Sequence, residues 1–318
     1  MASALLSAGC TGLMESVRPA PRPANAEADS GPDLAEPVAS AEFIAARMRY
    51  SDTEAGLQAR GLLRTDNGGA ELAGLDAETL ANTFIRVAMF DEFDPALTGS
   101  GASGTANVLR RWESPVRVRL EFGASVAASE RETDTAVVRE LARRLGAAAK
   151  HPVALTEGEG NLIVFVVDGA EERALAPRLR EAIPGIPPSV VLGVTGVPLS
   201  EACFSAGFSS AQAPFAFSRG VIIIRAEQPD LSRQSCYHEE IAQALGLVND
   251  VPEARPSIFN DDEEFALLTA LDELMLAMLY DPRLSPGMTL DEVQPRAQEI
   301  ARELLPGAAE TAPEPQET

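Results

Sequence analysis

Ser235-Cys236-Tyr237-His238-Glu239-Glu240-Ile241-Ala242-Gln243-Ala244-Leu245-Gly246-Leu247-Val248-Asn249-Asp250 is the stretch on which the fold of this chain turns. Residues four apart on a helix share a face, so Glu239 and Gln243 project together while Glu240 lies on a neighbouring edge. Gly246 supplies the left-handed backbone with which helices end, and the chain then folds back, returning Asn249 to the same side. The plainer reading is an amphipathic helix with solvated acids and with Leu245 and Leu247 in a core. Against it stands the register of Gln243, Gly246 and Asn249 with two segments further on.

Upstream of the stretch the pattern is that of strands alternating with helices. Val116 to Phe122 alternates apolar and charged residues, as a half-buried strand does, and the only tryptophan, Trp112, packs at its entrance. Glu130 to Ala149 is an amphipathic helix. Asn161 to Val167 is a continuous apolar run between Gly160 and Asp168-Gly169, which makes it an inner strand. A helix is predicted over Glu171 to Ile183, ended by Pro184-Gly185. Strands follow at Ala202 to Phe208 and Ala216 to Arg225 around a loop at Ser209 to Ala213. This layering predicts an α/β (α+β) fold, a mixed sheet with helices packed on it. Before it, Ala41 to Gln58 and Leu75 to Phe90 have helical spacing, the second opened by Asp76, with turn chemistry at Thr65 to Gly69.

Downstream, Val251 to Pro256 reads as a loop, followed by Ser257-Ile258-Phe259. A long helix is predicted from Glu263 or Leu267 to Tyr280, stopped by Asp281-Pro282, and a last amphipathic helix spans Leu290 to Leu305. Taken in order, Glu239-Glu240-x-x-Gln243-x-x-Gly246-x-x-Asn249, Ser257-Ile258-Phe259 and Leu268-Thr269-Ala270-Leu271-Asp272 resemble the HExxHxxGxxH helix, the Met-turn and the following helix of the metzincin zinc proteases. The strand-helix-strand-strand-strand-helix order upstream is also that of a metzincin upper subdomain. The block from Cys236 through Ser257-Ile258-Phe259 to Met288 is similar, besides, to an uncharacterised domain-of-unknown-function family of proteobacterial lipoproteins, a resemblance that brings no known activity.

The metzincin resemblance implies a central active-site-type helix and a C-terminal helical subdomain. It places the ligand positions at Glu239, Gln243 and Asn249, the general base at Glu240 and the Met-turn residue at Phe259. Zinc takes nitrogen and sulfur donors readily and amide oxygens poorly, and the whole chain holds two histidines, His151 and His238. A three-histidine site is excluded. Substitute sets built from His238, Glu239 and Asp250, or from Cys236 and His238, stay open, whereas calcium needs more oxygens than this cluster offers. The expectation is therefore a degenerate, metal-free site in which Gln243, Asn249 and Glu239 hydrogen-bond to one another. Such a pseudoenzyme domain would act as a binding or scaffolding module for an envelope protein or peptide, with Gly220 to Arg225 as the edge that receives an extended chain. The alternative is a metallopeptidase with a substituted zinc-ligand set and Glu240 as general base.

Composition narrows the class further. The 318 residues include 48 acidic and 26 basic ones, a net charge of −22 that repels nucleic acid and anionic membranes. With 45% hydrophobic residues the chain can bury an ordinary core, and no apolar run reaches membrane-spanning length. Leu5-Leu6-Ser7-Ala8-Gly9-Cys10 resembles a lipobox, the end of a signal peptide, with Cys10 as the lipidated residue. That reading predicts a periplasm-facing, lipid-anchored envelope protein, even though no Lys or Arg precedes Cys10. In that compartment the remaining pair, Cys203 and Cys236, reads as a disulfide. The predicted organisation is a leader at 1–10, a disordered linker at 11–40, an N-terminal helical region at 41–108, the metzincin-like domain at 109–305 and an acidic tail at 306–318.

Overall fold

Leu162–Val167 is apolar at every position because both faces of the sheet it centres are covered. The protein was analysed as a computed structural model that describes residues 40–90, 107–260 and 262–305. All of these belong to the unit Pro37–Thr318. Cys10, the linker apart from Ser40, and the tail 306–318 lie outside the described residues. In chain order the elements are α1 (Ala41–Ala59), a 3-10 turn (Glu71–Gly74), α2 (Ala77–Met89), β1 (Arg111–Trp112), β2 (Val116–Phe122), α3 (Ala128–Ala149), β3 (Val153–Leu155) and β4 (Leu162–Val167). Then come α4 (Gly169–Arg173), α5 (Ala176–Ala182), α6 (Pro188–Val194), β5 (Cys203–Ser210), β6 (Ala213–Arg225), α7 (Asp230–Leu245), α8 (Ala270–Leu279) and α9 (Leu290–Leu304).

The strands form one mixed sheet in the order β1-β6-β4-β2-β3, all parallel, with β5 antiparallel on β6. Side chains alternate across a strand. Leu162, Val164 and Val166 of β4 and Ile222 and Ile224 of β6 therefore enter the main core under α2, α3, α7, α8 and α9. Ile163, Phe165 and Val167 with Val221 and Ile223 enter a second core, roofed by Leu175, Leu179, Ile183, Val191 and Val194 of the α4–α6 segment. The α/β expectation is met at this level.

Several local expectations are corrected. The single helix predicted over Glu171 to Ile183 is two, α4 and α5, because Pro177 fits only the first turn of a helix. The helix expected from Glu263 or Leu267 starts at Ala270. Residues 263–266 instead run beside Leu63 and Arg64, with Leu63 N donating to Glu263 O and Ala266 N to Arg64 O, each at 2.8 Å. The loop around Ser209 to Ala213 shrinks to Ala211-Gln212, since both strands extend into a hairpin. Gly220 to Arg225 is not an edge. It pairs with Leu162–Val167 on one side and with β5 on the other, so its backbone is already satisfied. Among the described residues, β5 pairs with β6 alone and so offers an outer edge, as do the shorter end strands β1 and β3.

Candidate functional site

Helix α7 carries most of the candidate residues, and its ends are fixed by side chains from elsewhere. Pro229 precedes it and supplies no side-chain cap. The first-turn donors are met instead by Glu54 of α1, whose Oε2 accepts from Ser232 N at 2.9 Å and from Ser232 Oγ at 2.7 Å. A carboxylate there also complements the positive end of the helix. Replacing Glu54 with Ala is expected to lower stability by about 1 kcal/mol, read as a shift in urea midpoint at unchanged m-value. One turn on, Arg233 is buried and binds Asp134 of α3 through Nε at 2.9 Å, while Tyr237 OH donates to the same carboxylate at 2.9 Å. Arg233 Nη1 also donates to Gln228 O. Burial without these partners would be costly for either charge, so the cluster fixes α7 against α3.

At the other end Gly246 stops the helix with φ +125°, a conformation that side chains strain to adopt, and a Cβ there would lie 2.4 Å from Arg110 O. The last carbonyls are met by Trp112 Nε1, which donates to Ala244 O at 2.7 Å, and by Tyr280 OH, which donates to Leu245 O at 3.0 Å. Gly246→Ala combines backbone strain with a backbone clash and is expected to cost about 2 kcal/mol or more. Thermal unfolding checks it, and an unchanged Tm would show that the turn relaxes freely.

Between these ends Gln243 and Asn249 each bond to a neighbouring element. Gln243 Oε1 accepts from Ser205 Oγ on β5 at 3.2 Å. Asn249 Nδ2 donates to Arg86 O at the end of α2, 3.0 Å away, and the backbone N–H groups of Val248 and Asn249 donate to Val87 O. Through these two bonds the amides tie the helix to β5 and the returning loop to α2. Glu240 is 4% exposed, and Glu239 beside it is only partly covered. Cys236 forms the expected disulfide with Cys203, Cα to Cα 5.9 Å, fastening α7 to β5.

Phe259, at the Met-turn position, is fully buried, and the turn is built around Asp272. The Asp272 carboxylate accepts from Ser257 Oγ at 2.5 Å, Thr269 N at 2.7 Å, Thr269 Oγ1 at 2.8 Å and Ile258 N at 3.3 Å. Burial pushes its pKa up to about 6 against the downward pull of these donors. The T-x-x-D spacing of Thr269 to Asp272 is a capping-box signal that the helix start predicted at Glu263 or Leu267 passed over. Nothing in the sequence pointed to Asp134 or Glu54 as partners of α7, because they lie 99 and 178 residues from Arg233 and Ser232 and look like ordinary surface acids.

His238 accepts Leu268 N at Nδ1 over 2.9 Å, and burial, with Arg144 nearby, lowers its pKa to about 3. It is a neutral, structural histidine whose protonation would aim a donor at a donor. The folded pKa lies below the unfolded one, near 6.5, so its contribution is present above that value and is lost as pH falls. Between pH 6.5 and 5 wild type is expected to lose about 2 kcal/mol through this group. His238→Gln should flatten that part of the stability–pH curve. Zinc does not fit the donors here: Cys236 is consumed by the disulfide and His238 Nδ1 by a backbone N–H. Among the described residues no group of three or more His, Cys, Asp or Glu side chains is placed to hold a metal.

A protein family described as "Protein of unknown function (DUF2927)" matches the chain over residues 77–299. No curated protein matches it. No solved structure matches it either.

Proposed function

We propose, for a chain that belongs to the DUF2927 family, that the protein is a cell-envelope lipoprotein whose metzincin-like domain binds an extended peptide and catalyses nothing. The observation that carries this reading is the commitment of the site's own side chains to holding α7 in place. Cys236 is bonded to Cys203, His238 to Leu268 N, Gln243 to Ser205 and Asn249 to Arg86 O. Metzincin-likeness is supported by the order β2, α3, β3, β4, β5, β6, α7, in which α4–α6 are inserted between β4 and β5, and by the antiparallel β5 beside the central helix. A disulfide accords with an oxidising compartment, and hence with export.

The peptide pairs with the outer edge of β5, where main-chain groups supply affinity and alternate side chains specificity. Hydrogen exchange of the full chain with and without a panel of extended peptides tests it. Protection confined to Cys203–Ser210 is the expected result, and protection elsewhere with none in β5 sinks the edge assignment. Metal analysis separates the alternative peptidase: one tightly held zinc per chain, with hydrolysis abolished by Glu240→Gln, would replace this reading.

A further inference from the structure

At the carboxyl ends of β4 and β6, the two central strands, the chain buries two carboxyl groups against one guanidinium. Glu172 and Glu227 are each 1% exposed and Arg225 is 4% exposed. Arg225 Nη1 lies 2.6 Å from Glu172 Oε2, and Glu172 Oε1 accepts from Val197 N at 3.1 Å. Glu227 is served less well. Its Oε1 accepts from Gly169 N at 2.9 Å, but its buried Oε2 has no hydrogen-bond partner among the described residues. Asp168, just before α4, adds a further negative charge close to Glu227. Arg173 of α4 stands beside Gly169 and is paired with Glu42 of α1 at 3.0 Å. Tyr50 of α1, with Arg49 next to it, faces Arg225, Glu172 and Glu227. The connection at 197–202 brings one titratable side chain, Glu201, and it is exposed.

We propose that Glu227 is folded as a neutral carboxylic acid and that its ionisation unlatches residues 197–202. The proton belongs to Glu227 because Glu172 already holds Arg225, and a buried charge without a partner costs far more than a buried hydroxyl. The segment is gripped by the same groups. Arg225 Nη2 donates to Val197 O at 2.8 Å, Glu172 accepts from Val197 N, and Tyr50 OH donates to Leu199 O at 3.1 Å. A carboxylate at Glu227 repels Glu172 and competes for Arg225, the two side chains that hold Val197. The segment leads into Cys203, the first residue of β5. Burial raises the Glu227 pKa above the ordinary value of 4.5. Its stabilising contribution is therefore complete below 4.5 and is lost as pH rises through the folded value. Tyr50 stays a donor throughout, since burial pushes its pKa up to about 12.

Hydrogen exchange of the full chain at about pH 5 and about pH 8, corrected for the intrinsic rate at each, tests the latch in wild type and in Glu227→Gln. Protection of residues 197–202 in wild type is expected to fall about tenfold between the two conditions. Glu227→Gln, which keeps a neutral side chain of the same size, should hold its protection there. Far-UV dichroism shows whether the variant is folded, and the wild-type measurement decides without it. The proposal is overturned by wild-type protection of 197–202 that does not fall as pH rises, or by an equal fall in Glu227→Gln. It is overturned as well by a gap between the two proteins that is as large in β4 as in 197–202, because that is a change in global stability and not the release of one segment.

Discussion

Asp272→Ala is expected to destabilise the protein by about 4 kcal/mol at pH 5, because it strips the acceptor from two buried backbone N–H groups and two hydroxyls at once. The hydroxyls of Ser257 and Thr269 can turn, and Thr269 Oγ1 already lies 2.8 Å from Pro256 O. Ile258 N and Thr269 N cannot turn, and each orphaned donor costs about 1–3 kcal/mol. The loss is smaller at higher pH. A carboxyl whose folded pKa is raised, here from 3.8 to about 6, binds more protons folded than unfolded across that interval. Its contribution is present below pH 3.8 and is lost as pH rises through 6. About 2 kcal/mol of the wild-type advantage therefore disappears between pH 4 and 7. Urea titrations of both proteins at pH 5 and pH 8 check it, and a gap that widens toward pH 8 would contradict the assignment.

Removing the Cys203–Cys236 bond in the double variant Cys203→Ala, Cys236→Ala is expected to cost about 4 kcal/mol, since the bridge closes a sequence separation of 33 residues in the unfolded chain. The loss is not purely entropic. The bridge joins α7 to β5, whose only other strand contact among the described residues is β6. The Ser205–Gln243 bond at 3.2 Å also links the two. Amide exchange should accelerate first in Cys203–Ser210. A variant whose urea midpoint matches wild type would mean that packing alone fixes the strand.

Much of the fold was legible because its signals are local. The apolar run of Leu162–Val167, the alternation of Val116–Phe122 and the glycine after Leu245 each state their own structure within a few residues. The disulfide was readable from the even pair once export was inferred. The Gln243–Ser205 and Asn249–Arg86 bonds were not, because Ser205 and Arg86 come from β5 and α2, and spacing along one helix says nothing about what faces it. The edge strand was misplaced for a related reason. Gly220 to Arg225 is strongly apolar, and that is the mark of a strand covered on both sides rather than of one at the margin.

The span that defines the family begins at residue 77, while the carboxylate that closes the first turn of α7 sits at residue 54. A fragment cut to the family limits would discard α1 and leave Ser232 N and Oγ to water. It would also expose Tyr50's seat, where its hydroxyl donates to Leu199 O, along with the Arg47–Glu130 contact. Expression boundaries for this protein belong at Ser40, the residue that caps α1, and a shorter piece should be judged by fraying of the central helix before any loss of binding is interpreted.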